Sequence, residues 1–166
     1  MITQFQSAAE GVGSRVERFV NPDAALSYLT TQYVGPIAIT PLPSVLQNGL
    51  ARMGLAEPCD YPDTDLCVSF AEAGIAATGS LLLALTDPVA RSATALAPVH
   101  AVFLRASTIV SNLGDLKDRL ERSFSGSDKA YFSITTGPSR TADIERVLTI
   151  GVHGPKELLI LVLENE

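Results

Sequence analysis

Three runs constrain this chain most: "GSLLLAL" (79–85), "HAVFLR" (100–105) and "ELLILVLE" (157–164). Each is strand-length and almost continuously apolar. Successive side chains of a strand point to opposite faces of its sheet. An unbroken apolar run therefore needs cover on both faces, as in a mostly parallel sheet between helices. Helical patterns lie between the runs. Phe5, Ala8, Ala9 and Val12 recur at helical spacing. In "NPDAALSYLTTQY", Asn21 is an N-cap and Pro22 a first helical residue. "PSVLQNGLARMG" predicts a helix with Gly54 at its end, and "ARSATALAP" a short one.

Further strands are predicted at "RVERFV", "GPIAIT", "DLCVSF" and "KAYFSITT", with "AEAGIAAT" as a connection. Residues 66–85 read as a hairpin-like region that adds antiparallel pairing. "LGDLKDRLERSF" predicts an amphipathic helix in which Asp115 and Arg119, four apart, pair. "SRTADIERVL" predicts a helix capped by Ser139. The expectation is one domain over residues 1–166, a three-layer α/β/α sandwich. At 46% hydrophobic and 18% charged residues, the chain is too apolar to stay disordered.

Charge and length limit the partners. A net charge of −6 with no basic run disfavours nucleic acid and anionic membrane. The apolar runs are far shorter than a membrane span. The start "MITQFQSAAEGVGSRVERFV" lacks a basic region followed by an apolar one. A cytoplasmic protein is expected. Cys59 and Cys67 fit neither a CxxC pair nor an iron–sulfur run, so no zinc or cluster ligand set is expected and both read as small, half-buried thiols. GxGxxG, P-loop, HExxH and GxSxG motifs are absent, and no residue is an evident nucleophile.

The chemistry concentrates near "TGPSRTADIERVLTIGVHGP" (136–155). Gly137-Pro138 makes a tight turn after a strand. A helix starting at Ser139 would aim free backbone N–H groups at the strand's C-terminal edge, where α/β sheets bind ligands. Ser139, Arg140 and Thr141 would add donors for a carboxylate or phosphate. Equally, Arg140 pairs with an acid such as Asp143 and the helix is merely well capped. Glu145 needs no more than the helix dipole to explain it. His153, between Gly151 and Gly154, either serves a ligand or braces its loop through carbonyl oxygens. His100 at the head of an apolar strand reads, in isolation, as a satisfied core histidine. Thr78 and Gly79 precede a buried strand, where Gly permits a close approach.

Taken together, "IAATGSLLL", "RSATALAPVH" with Arg91 and His100, "TGPSRTADIE" and "LTIGVHGPKEL" resemble the LUD domain of the lactate-utilisation protein C family. The resemblance is clearest over residues 65–166. It implies a fold similar to the NagB/RpiA/CoA-transferase group. It also implies a part in oxidation of L-lactate to pyruvate beside two partner proteins, one carrying iron–sulfur clusters. It draws Thr78, Gly79, Arg91, His100, Gly137, Ser139, Arg140, Thr141, Asp143 and His153 toward one ligand pocket, with the cofactor unspecified. The chain departs from the family pattern at Ala77, where an acid is usual; Glu72 keeps its acid. If the missing acid were a catalytic base, that activity would be lost here. Two readings stand beside the accessory-subunit one: an enzyme on a phosphorylated or CoA-linked substrate, with Glu72 as its carboxylate, and a non-catalytic interaction protein. Two Arg contacts and a helix end supply about 5–8 kcal/mol. Micromolar binding takes about 8, so a small carboxylate held this way binds weakly.

Overall fold

The computed structural model describes residues 1–55, 64–126, 130–144, 147–150 and 154–166, with the backbone alone over 141–144 and 147–150. Cys59, Glu145, Gly151 and His153 lie outside the described residues, as do the side chains of Thr141 and Asp143. In chain order the first elements are α1 (Ile2–Gly11), β1 (Arg15–Phe19), α2 (Pro22–Gln32), β2 (Ile37–Ile39) and α3 (Ser44–Arg52). Next come β3 (Leu66–Ile75), β4 (Ser80–Ala84), α4 (Pro88–Leu96), β5 (Val99–Arg105) and β6 (Ile109–Val110). The remainder are α5 (Lys117–Ser125), β7 (Phe132–Thr135), β8 (Arg140–Ile144), β9 (Val147–Ile150) and β10 (Glu157–Leu163).

The main sheet runs β1-β10-β5-β3-β4-β7, and β2 and β6 also pair with β3. β1, β10, β5 and β3 are mutually parallel; β4 and β7 add an antiparallel margin. The apolar run of β10 does what its composition demands. Leu158, Ile160 and Val162 pack with Phe5 and Ala9 of α1 and Ala90 of α4. Leu159, Leu161 and Leu163 pack on the other face with Leu26 and Leu29 of α2 and Leu46 and Leu50 of α3. Helices thus cover both faces. Each such leucine contributes about 1.5–3 kcal/mol of burial.

β3 changes faces partway. Its register to β4 shifts between Ala71 and Ala73, so Glu72 is the extra residue of a bulge. Ala71 packs on the α1 side, whereas Ala73 and Ile75 pack with Leu116 and Leu120 on the other. The bulge lets one strand serve two helical layers. It also extends β3 through "AEAGI", which sequence patterning assigned to a connection, because that patterning assumed unbroken alternation.

Two helix expectations hold and two others change. Asn21 Oδ1 accepts from the Ala24 N–H at 2.9 Å, with Pro22 in the first turn. Gly54 takes a φ of 77° just past α3. The Asp115–Arg119 pair is not the contact that forms. Asp115 accepts from the Asn112 N–H at 2.9 Å, closing the turn before α5. Arg119 instead donates to the Glu72 carbonyl and lies 3.9 Å from its carboxylate. The helix expected over "SRTADIERVL" is the β8–β9 hairpin, in which Arg140 pairs with Ile150, Thr141 with Thr149 and Ile144 with Val147. Thr141, Ile144, Val147, Thr149 and Ile150 are β-branched, which favours extended backbone over helix. A strand and not a helix follows Ser139, whose N–H donates to the Pro155 carbonyl at 2.9 Å.

Candidate functional site

α4, β7 and the first residues of β5 and β10 enclose a cleft of about 410 Å³. Leu85, Ile134, Pro155 and Leu158 give it apolar wall; Thr94, Ser133, Thr135, Thr136 and Ser139 give it hydroxyls. Arg91 and Tyr131 stand on it and His100 forms part of its lining.

Arg91 is the chemically pointed residue. Asp87 caps α4 by accepting from the Val89 and Ala90 N–H groups, and this orients the first turn that carries Arg91. Arg91 Nη1 donates to the carbonyls of Leu85 at 2.9 Å and Thr86 at 3.0 Å. Its guanidinium carbon lies 4.5 Å from the Tyr131 ring centroid, a cation–π arrangement. No carboxylate pairs with it among the described residues. Carbonyl dipoles and an aromatic face hold the guanidinium without neutralising it. A single anion can complete it.

His100 is 1% exposed. Its Nε2 lies 2.7 Å from Ser69 Oγ on β3. Burial pulls its pKa down to about 4. The imidazole is therefore neutral at pH 7, because a charge there would lose its water. Cys67, opposite His100 in the β3–β5 register, is also enclosed, and burial pushes its thiol up to about 12. Of the two, His100 lines the cleft, and it does so as a neutral group. One consequence concerns acid stability. In the unfolded chain His100 takes its proton near pH 6.5, and in the fold only near 4. Between those values the unfolded state binds more protons, so stability falls as pH falls from about 6.5 to 4 and levels off below. The loss is roughly 3 kcal/mol. Urea titrations at a series of pH values should show it, and His100→Gln should remove that part of the slope.

Arg91, His100, Gly137 and Ser139 thus meet at one cleft. Gly79 and Arg140 serve another contact, the seat of α1, and Thr78 sits in the turn between β3 and β4. The helix ends with Gly13 at a φ of 92° and Ser14 N–H on the Ala9 carbonyl at 3.0 Å. Arg140 Nη2 donates to the Val12 carbonyl at 2.6 Å, a cation at a helix C-terminus. Gly79 touches the same helix: a Cβ there would stand 2.2 Å from Ala9 N. Gly137 belongs to both places, for its Cβ would meet the Val12 carbonyl at 2.6 Å. A chain of hydroxyls runs from the β3–β4 turn to the cleft. Thr78 Oγ1 is 2.6 Å from Ser80 Oγ, which is 2.7 Å from Thr136 Oγ1 at the cleft.

The anion pocket argued from a helix start at Ser139 loses that basis, since a strand follows. Glu72 lies on the bulge against Arg119 and is not among the lining residues of the cleft. Sequence reasoning missed Tyr131 and Ser69. Ser69 did leave a trace: a lone hydroxyl in the apolar run of β3. Among the described residues no group of three or more His, Cys, Asp or Glu is placed to hold a metal. No helix among them is long and apolar enough to cross a membrane.

Comparison with known proteins places these features in context. The model of the LUD domain matches residues 60–163. YkgG of Escherichia coli (strain K12) is 32% identical over 100 residues, which cover 59% of this chain and 43% of that protein. Lactate utilization protein C of Bacillus subtilis (strain 168) is 31% identical over 101 residues, 59% of this chain and 42% of that one. The match spans less than half the length of these curated relatives. A crystal structure of a DUF162 family protein from Deinococcus radiodurans superposes with a TM-score of 0.69 at 16% identity, covering 98% of this chain and 95% of that one.

Proposed function

Since the chain belongs to the LUD domain family, we propose that it acts as an accessory component of a lactate-utilisation system and holds a small anion on Arg91. The relatives named for lactate utilisation support the first half of this reading. One observation carries the second half. Arg91 is fixed by two carbonyls and a tyrosine ring at a hydroxyl-lined cleft, and no carboxylate answers it among the described residues. The partners are other proteins of the same system, one of them carrying the iron–sulfur clusters that electron transfer requires. The compartment is the cytoplasm.

The cleft's chemistry agrees with a modest ligand. One guanidinium contributes about 1.5–3 kcal/mol through charge-assisted bonds, and hydroxyls add neutral ones. Binding is then in the millimolar range, suited to an abundant metabolite. Arg91→Ala should weaken binding of L-lactate or pyruvate about 10- to 100-fold. Arg91→Lys should recover only part, because a lysine cannot reproduce the planar fork. Isothermal titration on folded variants measures this, and unchanged affinity in Arg91→Ala would remove Arg91 from the site. Growth on lactate of cells carrying each variant reads the same residue in the whole system.

A further inference from the structure

Behind the cleft, Ser69 of β3 and His100 of β5 meet across neighbouring strands. Ser69 has no exposure and His100 has 1%. Their contact, at 2.7 Å, joins Ser69 Oγ to His100 Nε2. The direction of that bond follows from valence together with which of the two residues lines the cleft. A serine hydroxyl has one proton to give and two lone pairs. Among the described residues its one hydrogen-bond partner is His100. Were Nε2–H the donor, the proton of Ser69, which is not among the cleft-lining residues, would have no acceptor among the described residues, whereas a proton on Nδ1 belongs to a ring that lines the cleft and can be met by what the cleft holds. The hydroxyl therefore donates to Nε2, and the ring proton sits on Nδ1.

We propose that Ser69 is a positioning residue that holds His100 as an Nδ1–H donor at the floor of the cleft, and that this cleft takes a small monocarboxylate with a hydroxyl or carbonyl oxygen beside its carboxylate. The inference rests on the anion reading above. Arg91 takes the carboxylate, and His100 Nδ1–H donates to the neighbouring oxygen. With its Nε2 engaged by Ser69, the ring has a donor and no free acceptor to offer. One guanidinium beside a neutral imidazole balances one negative charge, and a phosphate dianion would ask for a second cation. The groups around His100 bring it no negative charge: Cys67 and Ser69 of β3 are neutral, Leu158 of β10 is apolar, and Arg91 of α4, on the same cleft, is a cation. Selectivity is accordingly flat between pH 6 and 8.

Two measurements on the full chain test this. The sequence has two histidines, His100 and His153, so nitrogen-15 labelling of histidine gives two imidazoles to observe. His100→Gln assigns them. At pH 7 the His100 ring should be the neutral Nδ1–H tautomer, Ser69→Ala should turn it into a tautomer mixture, and Ser69→Thr should restore it. An imidazolium, an Nε2–H ring in the native protein, or an unchanged tautomer in Ser69→Ala overturns the positioning role. In titrations, pyruvate and L-lactate should bind about tenfold more tightly than propionate. Ser69→Ala should bring them down to the level of propionate and leave propionate itself unchanged. Inorganic phosphate binding more tightly than pyruvate overturns the ligand class while leaving an anion cleft in place. No binding by any of the four overturns the ligand class together with the anion reading, and the tautomer measurement still decides the role of Ser69.

Discussion

Phe103→Ala should lower the stability of the fold by about 3–5 kcal/mol. Phe103 is fully buried on β5, between β10 and β3, and its ring fills the layer under α2 and α3 with Leu26, Leu50 and Leu161. Truncation removes the transfer free energy of the ring and leaves a void that parallel strands, pinned on both sides, cannot close. For a chain of this size each kcal/mol moves Tm by about 2–4 °C, so Tm should drop by about 10 °C. Denaturant titration and thermal melts would check it together. A loss under 1 kcal/mol would mean that the layer relaxes around the gap and is not packed as described.

Gly79→Ala should release α1. At a φ of 66°, alanine already pays about 1–2 kcal/mol for the left-handed backbone. The larger obstacle is steric. The new Cβ would stand 2.2 Å from Ala9 N and 2.3 Å from Ala9 Cα, both backbone atoms that no rotamer change can move. α1 must lift, exposing Phe5 and Ala9, which are now fully buried. A total loss of about 3 kcal/mol or more is expected. Hydrogen exchange over residues 2–13 is the sharper probe, because protection should collapse there while β5 and β10 remain protected. Gly79→Asn separates the two causes. Asparagine tolerates the positive φ but still carries the Cβ, so α1 should be lost in that variant too. Retention of α1 with Asn would show that backbone conformation, not the helix contact, demands glycine.

These residues also show how far the fold and the site could be read beforehand. The apolar runs of β4, β5 and β10 announced themselves because a doubly covered strand has no polar face to hide. Asn21-Pro22 marked a helix start through purely local chemistry. "SRTADIERVL" misled for the same reason that Asn21 did not: Ser139 offers a local cap, but the β-branched residues of this stretch and of the Thr149-Ile150 that follows, with a pairing partner, decide the outcome. Arg91 and His100 came together through the family motif and not through a helical or strand period, since one lies on α4 and the other on the strand that follows it. Gly79 and Arg140 were marked as special, yet their contact is with a helix more than sixty residues earlier. No local pattern announces such a neighbour. Ser69 is the extreme case, a hydroxyl whose meaning depends wholly on the strand beside it.

The position of β10 has a consequence for how the protein is made. β10 lies between β1 and β5, with Arg15–Phe19 on one side and Val99–Arg105 on the other. It also follows both in the chain, so a growing polypeptide has β1 and β5 long before the strand that joins them. Until β10 emerges, each presents an unsatisfied edge and an uncovered apolar surface, the condition in which nascent chains aggregate. Pairing across so much sequence is slow as well. A ribosome that stopped short of Glu157 would release no smaller version of this fold, only two margins of a sheet with its middle missing.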